Sequence, residues 1–165
     1  MNKVILTVLF ALSACAADAI QWESSFADAA HKAKNSNKSI MVYFYRDSAP
    51  AGYDIAWQRQ MENETFNSGA VGGAAERYVC IKLEVGANKE LADQYGCLNV
   101  SSGGGIVFMS PALEVRTTIY AFKEADIFAK SMNNAASDKS QPKTGGKTTA
   151  GQENTSGGTG AGYKA

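Results

Sequence analysis

Residues 40–45 read Ile-Met-Val-Tyr-Phe-Tyr, and this run decides the fold class. An almost continuous apolar run is typical of a central β-strand that other elements cover on both faces. A second such run, interrupted near its end by Lys82 and Glu84, predicts a strand at residues 78–85. Two buried strands with a long intervening segment indicate a sheet with helical connections.

Outward from this strand, the apolar periodicity changes repeatedly between that of a helix and that of a strand. A first helix is predicted between an N-cap at Ser24 or Ser25 and an end at residues 35–37. The other predicted elements are helices at residues 53–66, 68–76, 88–95 and 123–134, and strands at residues 106–109 and 115–122. This order predicts an α/β fold with a central mixed sheet and helices on both faces, whose last two strands form an antiparallel hairpin.

Two of the predicted helices have faces that should point into the core. In the helix at residues 53–66 the inward residues are Trp57, Met61 and Phe66. In the helix at residues 123–134 they are Ile127, Phe128 and Met132.

Composition excludes several function classes. The 165 residues carry a formal net charge of zero, so the basic surface of a nucleic-acid binder is missing and we expect no nucleic-acid partner. The one histidine, His31, has no second ligand at metal-binding spacing, so we expect no metal. The glycine-rich residues 101–105 follow a helix and lead into a strand, which is the reverse of a phosphate-binding loop. We therefore expect no cofactor.

The first 19 residues have the pattern of a signal peptide. Lys3 precedes an apolar run at residues 4–12, and small residues continue to Ala19. Cleavage after Ala19 would start the mature chain at Ile20 and release a protein to the periplasm or the exterior. Residues 12–15, Leu-Ser-Ala-Cys, also resemble the lipobox of bacterial lipoproteins, which would leave a lipid anchor on Cys15 as the protein's contact with the membrane. Both cleavages stay open.

The last residues, 137–165, predict a disordered low-complexity tail. They are rich in Gly, Ser, Thr and Lys, and Tyr163 is their one large apolar side chain. Such a segment buries too little apolar surface to offset the entropy of ordering. The sequence thus divides into a signal peptide at residues 1–19, a domain at residues 20–136 and this tail.

Five stretches of the domain, in this order, resemble exported bacterial thioredoxin-like domains. They are W…F…AA…KSIMVYF at residues 22–44, MENETF at 61–66, YVCIKL at 78–83, LADQYG at 91–96 and IVFMSP at 106–111. The resemblance covers nearly all of residues 20–136. It implies a thioredoxin-like fold whose active site lies just before the second helix.

The resemblance also places the C-x-x-C cysteines, which use a helix N-terminus to lower the pKa of a thiol. Alignment on residues 61–66 puts them at Ile55 and Gln58, with Trp57 at an aromatic position that some relatives have. Alignment on the strand at residues 42–44 puts them at Ala49 and Gly52 instead. We prefer the helix alignment. Neither offers a cysteine.

Two further parts of the family's machinery are absent. The cis-proline position falls at Gly104, and the position of the buried acid falls at Tyr43. The resemblance therefore implies a redox-inactive binding or scaffold module rather than an enzyme. The alternative is a divergent thiol-disulfide oxidoreductase that uses Cys80 and Cys97. This pair could also be a structural disulfide or two small buried side chains.

The former substrate face is the predicted binding face for a partner. Its candidate contacts are Tyr53, Trp57, Gln58, Gly103 and Gly105. We expect the two glycines, which lack side chains, to leave backbone groups open to a close-approaching chain. The predicted partner is therefore a protein or an extended peptide.

Overall fold

The computed structural model describes residues 20–137. The predicted signal peptide, the lipidation of Cys15 and the tail from residue 138 onward lie outside the described residues. Ser137, which the sequence assigned to the tail, belongs to the last helix. Across residues 20–137 there is no helix of the length and apolarity that a membrane crossing requires.

The chain forms a five-stranded sheet with helices in every long connection. Each predicted strand and helix is present. The structure also has a two-residue strand before the first helix, which the sequence did not predict because two residues are too few to give a periodic signal. The elements are β1 (Trp22–Glu23), α1 (Phe26–Ser36), β2 (Ser39–Tyr45), α2 (Ala56–Gln60) continued by a π-helix (Met61–Thr65), α3 (Gly69–Ala75), β3 (Tyr78–Glu84), α4 (Lys89–Gln94), β4 (Gly105–Met109), β5 (Val115–Ile119) and α5 (Ala125–Ser137).

The sheet is mixed, with strand order β1-β3-β2-β4-β5. Strand β2 lies at its centre, parallel to β3 and antiparallel to β4. Strands β4 and β5 form the predicted antiparallel hairpin. Strand β2 is buried from Ile40 to Phe44, as its continuous apolar run predicts.

Helices on both faces of the sheet are confirmed by two separate buried clusters. Because side chains alternate along a strand, Met41 and Tyr43 belong to one cluster and Ile40, Val42 and Phe44 to the other. The Met41 cluster includes side chains of α2, α3 and α5, whereas the Ile40 cluster includes those of α1 and α4.

The last helix corrects one prediction. Phe128 and Met132 are buried as predicted, but Ile127 is 49% exposed. Residues adjacent in sequence differ by about 100° around a helix, so a stripe centred on Phe128 and Met132 turns Ile127 toward solvent. The prediction that Ile127 faces inward is therefore wrong.

The second helix begins later than predicted and widens in its second half. Asp54 Oδ1 accepts a hydrogen bond from the Ala56 amide (3.0 Å), and α2 starts there rather than at residue 53. The Phe66 amide then donates to the Met61 carbonyl (2.8 Å), which closes a π-turn. Residues five apart differ by about 140° around an α-helix. The wider π-turn reduces this angular separation, so Met61 and Phe66 lie on the same side of the helix and are both buried.

Candidate functional site

Two chain segments meet at the end of the sheet where β2 and β3 terminate. The first leads into α2, and the second is residues 101–105, which we call the glycine loop. The Asp54 amide donates to the Ser101 carbonyl (2.9 Å), and Trp57 Nε1 donates to the Ser102 carbonyl (2.8 Å). The structure thus brings together the segments that the sequence predicted to share one surface.

The two positions that the resemblance assigns to the family's cysteines are occupied by packed side chains. Ile55 directly precedes α2 and Gln58 lies in its first turn, with exposed fractions of 8% and 3%. Ala49 and Gly52, the positions of the strand alignment, lie in the exposed loop before α2. The helix alignment is therefore the one whose two positions face the glycine loop.

Gln58 ties three segments together through its side-chain amide. Its Oε1 accepts a hydrogen bond from the Arg46 amide at the end of β2 (3.0 Å). Its Nε2 donates to the Ser102 carbonyl of the glycine loop (3.2 Å). A buried amide that has both a donor and an acceptor satisfied can hold α2, β2 and the glycine loop in one arrangement.

The glycine loop is closed rather than open. Gly103, Gly104 and Gly105 are all buried. A Cβ on Gly104 would lie 2.2 Å from the Phe44 carbonyl oxygen, and one on Gly103 would lie 2.7 Å from Ile55 Cγ2. The glycines therefore allow the loop to approach β2 and α2 closely.

The expectation that these glycines leave open backbone groups is wrong. The Gly103 amide donates to the Val100 carbonyl (2.8 Å), and the Gly104 carbonyl accepts from Ser102 Oγ (2.8 Å). The Ser102 carbonyl accepts from both Trp57 and Gln58. These groups are already used within the domain, so an incoming chain would have to displace them.

Of the five predicted contact residues, Tyr53 has the accessible side chain. Trp57 is 7% exposed, and Gln58, Gly103 and Gly105 are also buried. The Tyr53 ring is half-buried and lies 4.8 Å from the guanidinium carbon of Arg46. A partner-binding role for this face stays a prediction, with Tyr53 and its surroundings as the accessible part.

Beside the glycine loop lies an open cleft of about 130 Å³ that we call the polar cleft. The sequence analysis did not predict this cleft. Its one sign in the sequence was the charged residues that interrupt the end of β3, of which Lys82 lines the cleft. It is lined by Tyr45, Arg46, Asp47, Ile55, Gln58, Arg59, Glu62 and Lys82.

One ion pair crosses the polar cleft. Lys82 Nζ lies 3.0 Å from Glu62 Oε1, and the Tyr43 hydroxyl donates to the same oxygen (3.2 Å). Burial, and then the Glu62 carboxylate, raise the pKa of Tyr43 well above its usual value. Tyr43 stays a neutral hydrogen-bond donor, so it cannot accept a proton as a buried carboxylate at this position would.

The two thiols of the domain are free and buried. Cys80 in β3 and Cys97 after α4 are buried, and burial raises the pKa of each to about 12. They belong to the two different clusters on opposite faces of the sheet, so the disulfide that the sequence left open is not formed. Both behave as small buried side chains.

The one histidine of the sequence lies at the surface of the domain. His31 is exposed on α1, with Asn35 Nδ2 3.2 Å from its Nδ1. Among residues 20–137, no cluster of three or more His, Cys, Asp or Glu side chains could hold a metal ion.

Solved structures with the same arrangement of strands and helices fix the fold. The DsbH oxidoreductase superposes with a TM-score of 0.61 at 17% identity, over 82% of this chain and 94% of that one. This chain has a thioredoxin-like fold. A thioredoxin from Thermus thermophilus gives 0.57 at 21% identity (71% and 87% covered). The reduced C-terminal domain of DsbD from Neisseria meningitidis gives 0.54 at 19% (66% and 91%). No protein-family model and no curated protein sequence matches the chain.

Proposed function

We propose that this protein is a redox-inactive thioredoxin-like binding module that acts outside the cytoplasm. The observation that carries the proposal is the buried Gln58 side chain at the position of the second cysteine. Its amide joins the end of β2 to the glycine loop, and Ile55 fills the position of the first cysteine. A site that is packed and hydrogen-bonded in this way supports a structural use of the former active-site residues.

The alternative function, an oxidoreductase that uses Cys80 and Cys97, needs an accessible thiolate. Thiol-disulfide exchange proceeds through the thiolate, and a pKa of about 12 leaves very little of it at neutral pH. The two thiols lie on opposite faces of the sheet and neither is at a helix N-terminus. Their placement therefore favours the binding module over the enzyme.

Two further parts of the proposal rest on the sequence. The signal-peptide pattern of residues 1–19 supports export, either as a released protein or with a lipid anchor on Cys15. The proposed partner is a protein that presents an extended segment to the face around Tyr53. This face lies at the end of the sheet where open α/β sheets commonly bind ligands.

An insulin-reduction assay tests the proposal. With dithiothreitol as the electron donor, the protein should not accelerate insulin precipitation above the uncatalysed rate, because it lacks an accessible thiolate. A thioredoxin assayed in parallel serves as the positive control. Turnover that disappears in Cys80→Ser or Cys97→Ser would show that the protein is an oxidoreductase and would contradict the proposal.

A further inference from the structure

We infer that the polar cleft binds an acidic side chain of an extended partner segment. The inference deepens the proposed function, because it names the chemistry by which a binding module would recognise its partner. It stands on the charges of the cleft, on the fixed position of one arginine and on the size of the cleft.

The polar cleft has an excess of positive charge. Arg46, Arg59 and Lys82 line it, against the carboxylates of Asp47 and Glu62. The Glu62 carboxylate is already compensated by Lys82 at 3.0 Å and by the Tyr43 hydroxyl. Within residues 20–137 no carboxylate lies within ion-pair distance of either arginine. The exposed Asp47 reduces this excess but does not remove it.

Arg46 is held in place by neighbouring groups. Its Nη2 donates to the Leu98 carbonyl (2.9 Å), and its guanidinium carbon lies 4.8 Å from the Tyr53 ring centroid. Its Nε is buried and has no acceptor in the part of the chain described. Arg46 therefore adds a fixed positive charge to the lining of the cleft, and a carboxylate is the acceptor whose geometry best suits a guanidinium group.

The volume of the cleft suits a single side chain better than a whole cofactor. Pockets for small molecules usually enclose roughly 300–1,000 Å³. The polar cleft encloses about 130 Å³ and is open to solvent. A single carboxylate side chain fits this volume, and its backbone would then lie along the surface near Tyr53.

The test is a titration of the ¹⁵N-labelled full chain, followed by the ¹H–¹⁵N resonances of the cleft residues and of the arginine Nε–H groups. The probe is the peptide acetyl-Gly-Ser-Glu-Ser-Gly-amide, and its control is the same peptide with Gln in place of Glu. We expect the Glu peptide to shift these resonances and the Gln peptide not to. Added salt should weaken the effect, because exposed charges are screened.

Two matched arginine variants locate the site. Arg59→Ala removes an exposed cation of the cleft and should weaken the Glu peptide about threefold to tenfold. Arg77→Ala removes another exposed arginine, just before β3 at the opposite end of the sheet, and should leave affinity unchanged. Within residues 20–137 neither side chain makes a hydrogen bond or an ion pair, so both variants should fold.

Each other outcome overturns the inference. Absence of shifts with the Glu peptide at millimolar concentration, equal shifts with the Gln peptide, or equal weakening by Arg77→Ala would each exclude selective acidic recognition here. Sodium acetate that binds as tightly as the peptide would make the cleft a site for free small anions instead. If the protein neither binds the Glu peptide nor reduces insulin, this inference is wrong and the proposed function still holds. If the protein reduces insulin, the proposed function itself is wrong.

Discussion

Replacing Gly104 with Ala is expected to lower the free energy of unfolding by about 3 kcal/mol. The added Cβ would lie 2.2 Å from the Phe44 carbonyl oxygen and 3.0 Å from its carbon. These are backbone atoms of the central strand β2, which cannot move aside as the end of a flexible side chain could. The glycine loop would have to shift away from β2, and the contact between Gln58 and Ser102 would be strained with it.

Gly73→Ala is the matched control for this substitution. Gly73 lies within α3, and a Cβ built on it meets nothing within 4 Å. Because glycine is unfavourable in a helix, this variant should be equally stable or more stable by about 0.5–1 kcal/mol. Denaturant unfolding of both variants measures the difference. Equal stabilities would contradict the close approach of the glycine loop to β2.

Replacing Gln58 with Ala is expected to cost about 1–3 kcal/mol. The variant loses the hydrogen bonds to the Arg46 amide and to the Ser102 carbonyl, and the Arg46 amide is left without this acceptor. The Ser102 carbonyl keeps its bond from Trp57 Nε1, so the glycine loop should loosen rather than detach. Amide hydrogen exchange should accelerate at Arg46 more than in the centre of β2.

Gln60→Ala provides the control on the same helix. Gln60 is exposed at the end of α2, and alanine is the better helix former. This variant should therefore show no loss of stability by denaturant unfolding. If Gln58→Ala and Gln60→Ala were equally stable, Gln58 would not hold the three segments together.

The sequence predicted the elements well where their signals are local. The apolar run of β2, an N-cap at Ser24 or Ser25 and an end of α1 at residues 35–37 were each predicted from a few neighbouring residues, and the structure has Ser25 as the N-cap and Asn37 as the C-cap. The side chain of Ser25 does accept a hydrogen bond from the Asp28 amide (3.3 Å). The alternation of helices and strands then restricted the topology to a sheet with helices on both faces.

The details of the site depended on contacts between distant residues. From the sequence alone, Gly103 and Gly105 were expected to leave backbone groups open. In the structure they are buried, because Trp57 and Gln58, more than 40 positions earlier, bond to the neighbouring Ser102 carbonyl. The polar cleft likewise combines residues of β2, α2, the π-helix and β3, which no local pattern relates.

The thiol pair illustrates the same limit. Two cysteines in a chain that was expected to be exported were compatible with a disulfide, a catalytic pair or two buried side chains. The structure leaves both thiols free and apart, because Cys80 packs on the face covered by α5 and Cys97 on the face covered by α1. Spacing along the chain carried no information about which face each would take.

The thiolate content of the folded protein tests the central claim that no redox site remains. In a Cys15→Ser chain, Cys80 and Cys97 are the thiols left to react with Ellman's reagent at pH 8. Burial raises the pKa of each to about 12, against an ordinary value of about 8.5. We predict that both react about 10³-fold more slowly in the native protein than in denaturant, and faster as pH rises. A thiol that reacts in the native protein as fast as in denaturant would contradict the account.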